Sequence, residues 1–78
     1  MYKLRDDINL KELEKYDYED LGVCYKKYEN YALAGIQIII SKTTRVITRL
    51  HPYSLREEPT EAEIQDLVDA GLVEKVRK

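Results

Sequence analysis

The pattern of apolar and polar positions divides this chain into helical ends and a β-rich middle. Ile8-Asn9-Leu10-Lys11-Glu12-Leu13 predicts a helix start. Asn9 is placed as N-cap, because its side-chain oxygen can take a free backbone N–H of the first turn. Glu12, three residues on, suits a capping box, and Ile8 and Leu13 suit a hydrophobic staple. This helix is short, ends near Tyr16 or Asp17, and must pack Leu10 and Leu13 on a partner surface to persist. A second helix is signalled more fully. Pro59 precedes Thr60, and Glu63 completes a Thr-x-x-Glu capping box. Ile64, Leu67 and Val68 follow at the spacing of one buried helical stripe. Gly71 suits the left-handed position just past the helix, with Leu72 next to it in a Schellman motif.

Between the helices, Gly35-Ile36-Gln37-Ile38-Ile39-Ile40-Ser41 and Arg45-Val46-Ile47-Thr48-Arg49-Leu50 are rich in β-branched residues and short for helices. The polar residues Lys42, Thr43 and Thr44 between them predict an antiparallel hairpin. Alternation places Ile36, Ile38 and Ile40 on one face, with Val46, Thr48 and Leu50 beside them. The opposite face then carries Gln37, Ile39, Arg45, Ile47, Arg49 and His51, and Pro52 ends the strand. Residues 21–33 fit two patterns. Val23 to Tyr28 read as a strand, while Leu21, Cys24, Tyr25, Tyr28 and Tyr31 also fit a helical stripe. The strand is favoured because a sheet of only two strands is marginal. Leu72 to Val76 can add a short last strand.

The expected fold is therefore α+β. A small antiparallel sheet of about three strands carries a short N-terminal helix and a capped amphipathic C-terminal helix on one face. Its expected core is Leu10, Leu13, Ile36, Ile38, Ile40, Val46, Ile64, Leu67, Val68 and Leu72. At 78 residues the chain is expected to be a single domain spanning 1–78.

Composition narrows the setting. No apolar run approaches the ~18 residues of a membrane span, and the first residues contain no apolar segment of the secretory kind. The single cysteine, Cys24, has no partner for an internal disulfide. A cytoplasmic location with no membrane partner is expected. Charge is uneven beneath the net −2. Lys42, Arg45, Arg49 and Arg56 fall in a stretch without any acid, which also holds His51. All the aromatic residues are Tyr, a type suited to half-buried positions and interfaces.

Most chemistry is excluded by what is missing. The three glycines are isolated from one another, so no phosphate-cradling loop is present. One His and one Cys are too few for a zinc site of those ligands. A nucleophile and base pair of Cys24 and His51 has no supporting context. Asp17-x-Glu19-x-Leu21-Gly22 fails as a calcium loop, because Leu21 and Tyr28 stand where oxygen ligands are needed. Asp66 to Lys75 has the look of a winged-helix recognition helix, but Glu61, Glu63, Asp66 and Asp69 would repel phosphates. No catalytic residue, metal site or cofactor is expected, and the chain is not expected to be an enzyme.

The segment Lys3-Leu4-Arg5-Asp6-Asp7-Ile8-Asn9-Leu10-Lys11-Glu12-Leu13-Glu14-Lys15-Tyr16 resembles the start of small uncharacterised proteins of Firmicute phages and prophages. Glu63 to Val76 resembles their C-terminal helix, and Thr44-Arg45-Val46-Ile47 their middle strands. Those proteins often carry Gly-Phe after the Tyr of the first helix, where this chain has Asp17-Tyr18. The resemblance implies a strand at 23–28 and a bacterial phage or mobile-element setting, and it implies no activity.

Two functional expectations remain. The first is a non-catalytic interaction module, binding a protein partner or itself through Ile39, Ile47, Tyr25 and Tyr28 on the second sheet face. The alternative is weak nucleic-acid binding through Lys42, Arg45, Arg49 and Arg56 of the basic hairpin, with the tyrosines stacking on bases.

Overall fold

The computed structural model describes residues 1–31, 34–50 and 56–76, and among these six strands form one antiparallel sheet. The strands are β1 (Tyr2–Leu4), β2 (Glu19–Asp20), β3 (Cys24–Tyr31), β4 (Ala34–Ser41), β5 (Val46–Leu50) and β6 (Val73–Lys75). Their spatial order is β2-β3-β4-β5-β1-β6. The expected three-stranded α+β fold is thereby corrected: the molecule is mostly sheet. Its helical parts are two 3-10 segments, Leu10–Tyr16 and Glu61–Ile64, and one short α-helix, α1 (Gln65–Asp69). His51 and Pro52 lie outside the described residues.

The strands that alternation missed are the shortest ones. β1 and β2 have three and two residues, too few to display a period of two. They exist through pairing. β1 lies between β5 and β6, with Tyr2 opposite both Ile47 and Lys75. β2 adds Glu19 and Asp20 to the outer edge of β3, opposite Lys26 and Tyr25. The strand reading of 23–28 holds, and β3 is paired with β4 along its full length, from Cys24↔Ser41 to Tyr31↔Ala34.

The helical segments between strands are delimited by short-range caps. Asn9 takes the Lys11 N–H at 3.0 Å, and the Glu12 N–H donates to the Asn9 carbonyl three residues back. That spacing is 3-10, not α. The Glu12 carboxylate turns to Lys15 at 3.0 Å instead of completing a capping box. Asp17, left-handed at φ 68, ends the segment. At the other end the Thr60–Glu63 capping box is complete in both directions. The Leu72 N–H donates to the Leu67 carbonyl at 3.1 Å and the Gly71 N–H to Val68 at 3.0 Å, the two bonds of a Schellman motif.

Both connections cover the same face of the sheet. Leu13 and Tyr18 from the first, and Ile64 and Leu67 from the second, share a buried cluster with Leu4, Tyr25, Ile36, Ile38, Ile40 and Ile47. Ile38, Ile40, Leu13, Ile64 and Leu67 are fully enclosed. Each such side chain contributes roughly 1.5–3 kcal/mol of transfer free energy. Leu10, Val68 and Leu72 pack at the margin of the cluster.

Gly71 sits at φ 73, and no atom lies within 4 Å of where its Cβ would stand. Gly71→Ala should therefore cost about 1 kcal/mol through backbone strain alone. Urea unfolding of the variant measures this, and an unchanged midpoint would contradict the left-handed cap.

Candidate interaction face

The turn between β4 and β5 decides which side chains face out. It has four residues, Lys42 to Arg45, and Arg45 takes the left-handed conformation at φ 64. The Arg45 N–H donates to the Ser41 carbonyl at 2.9 Å. Ser41 Oγ accepts from the Thr43 and Thr44 N–H groups, both at 3.2 Å, and Thr44 Oγ1 accepts from Val46 N–H at 3.3 Å. This closure sets Ile40 opposite Ile47, Ile39 opposite Thr48 and Ile38 opposite Arg49. Residues paired across strands share a face, so Ile47 and Arg49 join Ile36, Ile38 and Ile40 under the helical segments. Val46, Thr48 and Leu50 lie with Ile39 on the face the helical segments leave uncovered.

That parity is the reverse of the one expected, and it corrects the site assignments. Ile47 and Tyr25 are core residues, 1% and 2% exposed, and cannot meet a partner. Val46 leaves the expected core for the open face. Ile39 and Tyr28 are on the open face as expected. Tyr28 is 62% exposed, and its ring crosses Gly35 on β4, occupying the space a Cβ would need there.

The four cations of the basic hairpin are not gathered into one patch. Lys42 pairs with Asp20 at 2.6 Å and lies 5.1 Å from the centre of the Tyr25 ring. The hydrogen bond to Asp20 raises the Lys42 ammonium above its ordinary value, and Lys42 together with the Gly22 N–H lowers Asp20. Arg45 donates to the backbone carbonyls of Arg5 and Ile8 at 2.8 and 2.9 Å, tying β1's exit to the turn. Arg49 crosses to the helical side, where it meets Glu63 at 2.7 Å and Glu57 at 3.2 Å. Arg56 is exposed and carries no ion pair among the described residues. The placement follows from backbone pairing: Arg49 and Glu57 exchange N–H···O bonds of 2.8 and 2.9 Å, so Arg56, one residue away, turns to the open side.

On that open side lies a hollow of about 580 Å³. Val23, Ile39 and Val46 give it apolar surface, and Val23 is 80% exposed. Ser41, Thr43, Thr44 and Thr48 line it with hydroxyls, and Cys24 and Arg56 complete it. Ile39 and Tyr28 were expected on the contact face, whereas Arg56 was expected only as a nucleic-acid contact. The outward orientation of Val46 and Thr48 depends on the turn, and Val23 stands just before β3, where alternation within the strand does not reach it. No three His, Cys, Asp or Glu side chains among the described residues are grouped to hold a metal ion. No helix among them is long and apolar enough to cross a membrane. No family model, curated protein or solved structure matches the chain.

The Arg49–Glu63 pair holds the second helical segment on the sheet and has a pH signature. Burial pushes the Glu63 carboxyl up, but the Thr60 N–H and the Arg49 guanidinium outweigh it and hold it below its ordinary value. A depressed carboxyl adds stability that is full above its unfolded value of about 4.3 and is lost as pH falls through the folded one. Glu63→Gln should lower stability at pH 7 and flatten the decline below about pH 4.3. Urea midpoints of both proteins from pH 7 to pH 3 test this, and parallel curves would contradict it.

Proposed function

We propose that this chain is a small non-catalytic interaction module that binds a protein partner, or a second copy of itself, through the open face of its sheet. The observation that carries the reading is the asymmetry of the two faces. One is sealed by Leu13, Ile64 and Leu67, while the other presents a hollow floored by Val23, Ile39 and Val46 and, further along β4 over Gly35, the exposed ring of Tyr28. Aliphatic groups grouped on one surface and rimmed by polar residues are the usual mark of a contact site. The phage or mobile-element setting implied by the sequence resemblance belongs to the same proposal. Nucleic-acid binding draws less support, because Lys42, Arg45 and Arg49 are each held by partners within the fold and leave Arg56 alone. Phosphate binding of useful strength needs several such contacts together.

A photo-crosslinking side chain placed at Thr48 or Tyr28, and separately at Glu61 or Asp69, tests the choice of face in cells. The expected result is discrete adducts from Thr48 and Tyr28 and none from the helical side. An adduct of twice the chain mass identifies self-association. Adducts confined to Glu61 and Asp69 would contradict the proposal.

A further inference from the structure

The hollow on the open face is selective in its chemistry. None of its lining residues is Asp or Glu, in a chain with 15 acids and 13 bases. Two of its polar groups, Ser41 and Arg56, are left with donors only. Ser41 Oγ accepts two backbone N–H groups, which engages both lone pairs and leaves only its O–H to offer a ligand. Thr44 Oγ1 accepts one N–H, from Val46, and keeps its O–H to donate. The Arg56 guanidinium can only donate. The acids next to Arg56 are committed elsewhere, Glu57 to Arg49 and Glu58 to the amino group of Met1. Between these donors lies the aliphatic surface of Ile39 and Val46.

Resting on the open-face reading above, we infer that the hollow receives an acidic segment of a protein partner. One carboxylate of that segment meets Arg56 and the hydroxyls of the β4–β5 turn, and aliphatic side chains next to it cover Ile39 and Val46. A second copy of this chain fits poorly. A two-fold axis through the hollow would set hollow against hollow, bringing two Arg56 guanidinium groups together with no lining carboxylate between them. A small inorganic anion would satisfy Arg56 but leave the apolar surface bare. An acidic segment with aliphatic neighbours does both.

The test is an amide-resolved NMR titration of the full chain with two capped synthetic heptapeptides, one alternating valine and aspartate, the other alternating valine and asparagine. Inorganic phosphate is titrated as a third probe. The aspartate peptide should shift the amides of Val23, Ile39 and Thr48 and bind about tenfold more tightly than the asparagine peptide, the scale of one charge-assisted contact. Arg56→Gln, an exposed substitution that leaves the core untouched, should abolish that difference. Equal binding of the two peptides at the hollow overturns the acidic assignment while leaving the open face as the contact surface. An equal response to phosphate overturns the protein-segment assignment. No shift at the hollow with either peptide overturns the inference, and the crosslinking result then judges the open face separately.

Discussion

The left-handed residue Arg45 is the hinge of this architecture. Because a strand's side chains alternate with a period of two, a one-residue change in the β4–β5 turn would exchange every side chain of β5 between the faces. With Lys42 to Arg45 as the turn, Ile47 falls into the core and Arg49 reaches Glu63 and Glu57 on the helical side. The same residue does a second task. Its guanidinium holds the carbonyls of Arg5 and Ile8, fixing the chain where it leaves β1 and enters the first helical segment. Left-handed backbone costs a residue other than glycine roughly 1–2 kcal/mol. The backbone bond to Ser41 and the two guanidinium bonds offset that cost.

The sequence showed the parts whose signals are local. β3, β4 and β5 lie where β-branched and aromatic residues concentrate, β6 lies within the segment Leu72 to Val76 read as a short last strand, and the Thr60–Glu63 and Gly71 caps form as their spacing predicts. What it concealed depends on distant partners. Ile38-Ile39-Ile40 and Val46-Ile47-Thr48 carry β-branched residues on both faces, so alternation could not say which side of β5 is inward. β1 and β2 have no pattern of their own and are strands because β5, β6 and β3 pair with them. The candidate site divides the same way. Ile39 and Tyr28 were legible as open-face residues, and Arg56 only as a cation. Val46 and Thr48 became visible only with the turn, Val23 only with the end of β3, and Tyr25 and Ile47 were assigned to the wrong surface.

The charges are organised by the same geometry. Lys42, Arg45 and Arg49 look like a basic patch in the linear sequence, yet the sheet delivers each to a different anchor: Asp20, two backbone carbonyls, and a pair of glutamates. They serve the fold. The face left uncovered holds a donor-lined apolar hollow with Arg56 at its margin.

All of this rests on which side of β5 faces the core. Methyl-resolved NMR in the presence of a soluble paramagnetic agent reads that directly. The Val46 methyls should broaden strongly while the Ile47 methyls remain sharp beside Ile40. Broadening of Ile47 with protection of Val46 would reverse the sheet's faces and contradict both the turn's role and the location of the proposed contact surface.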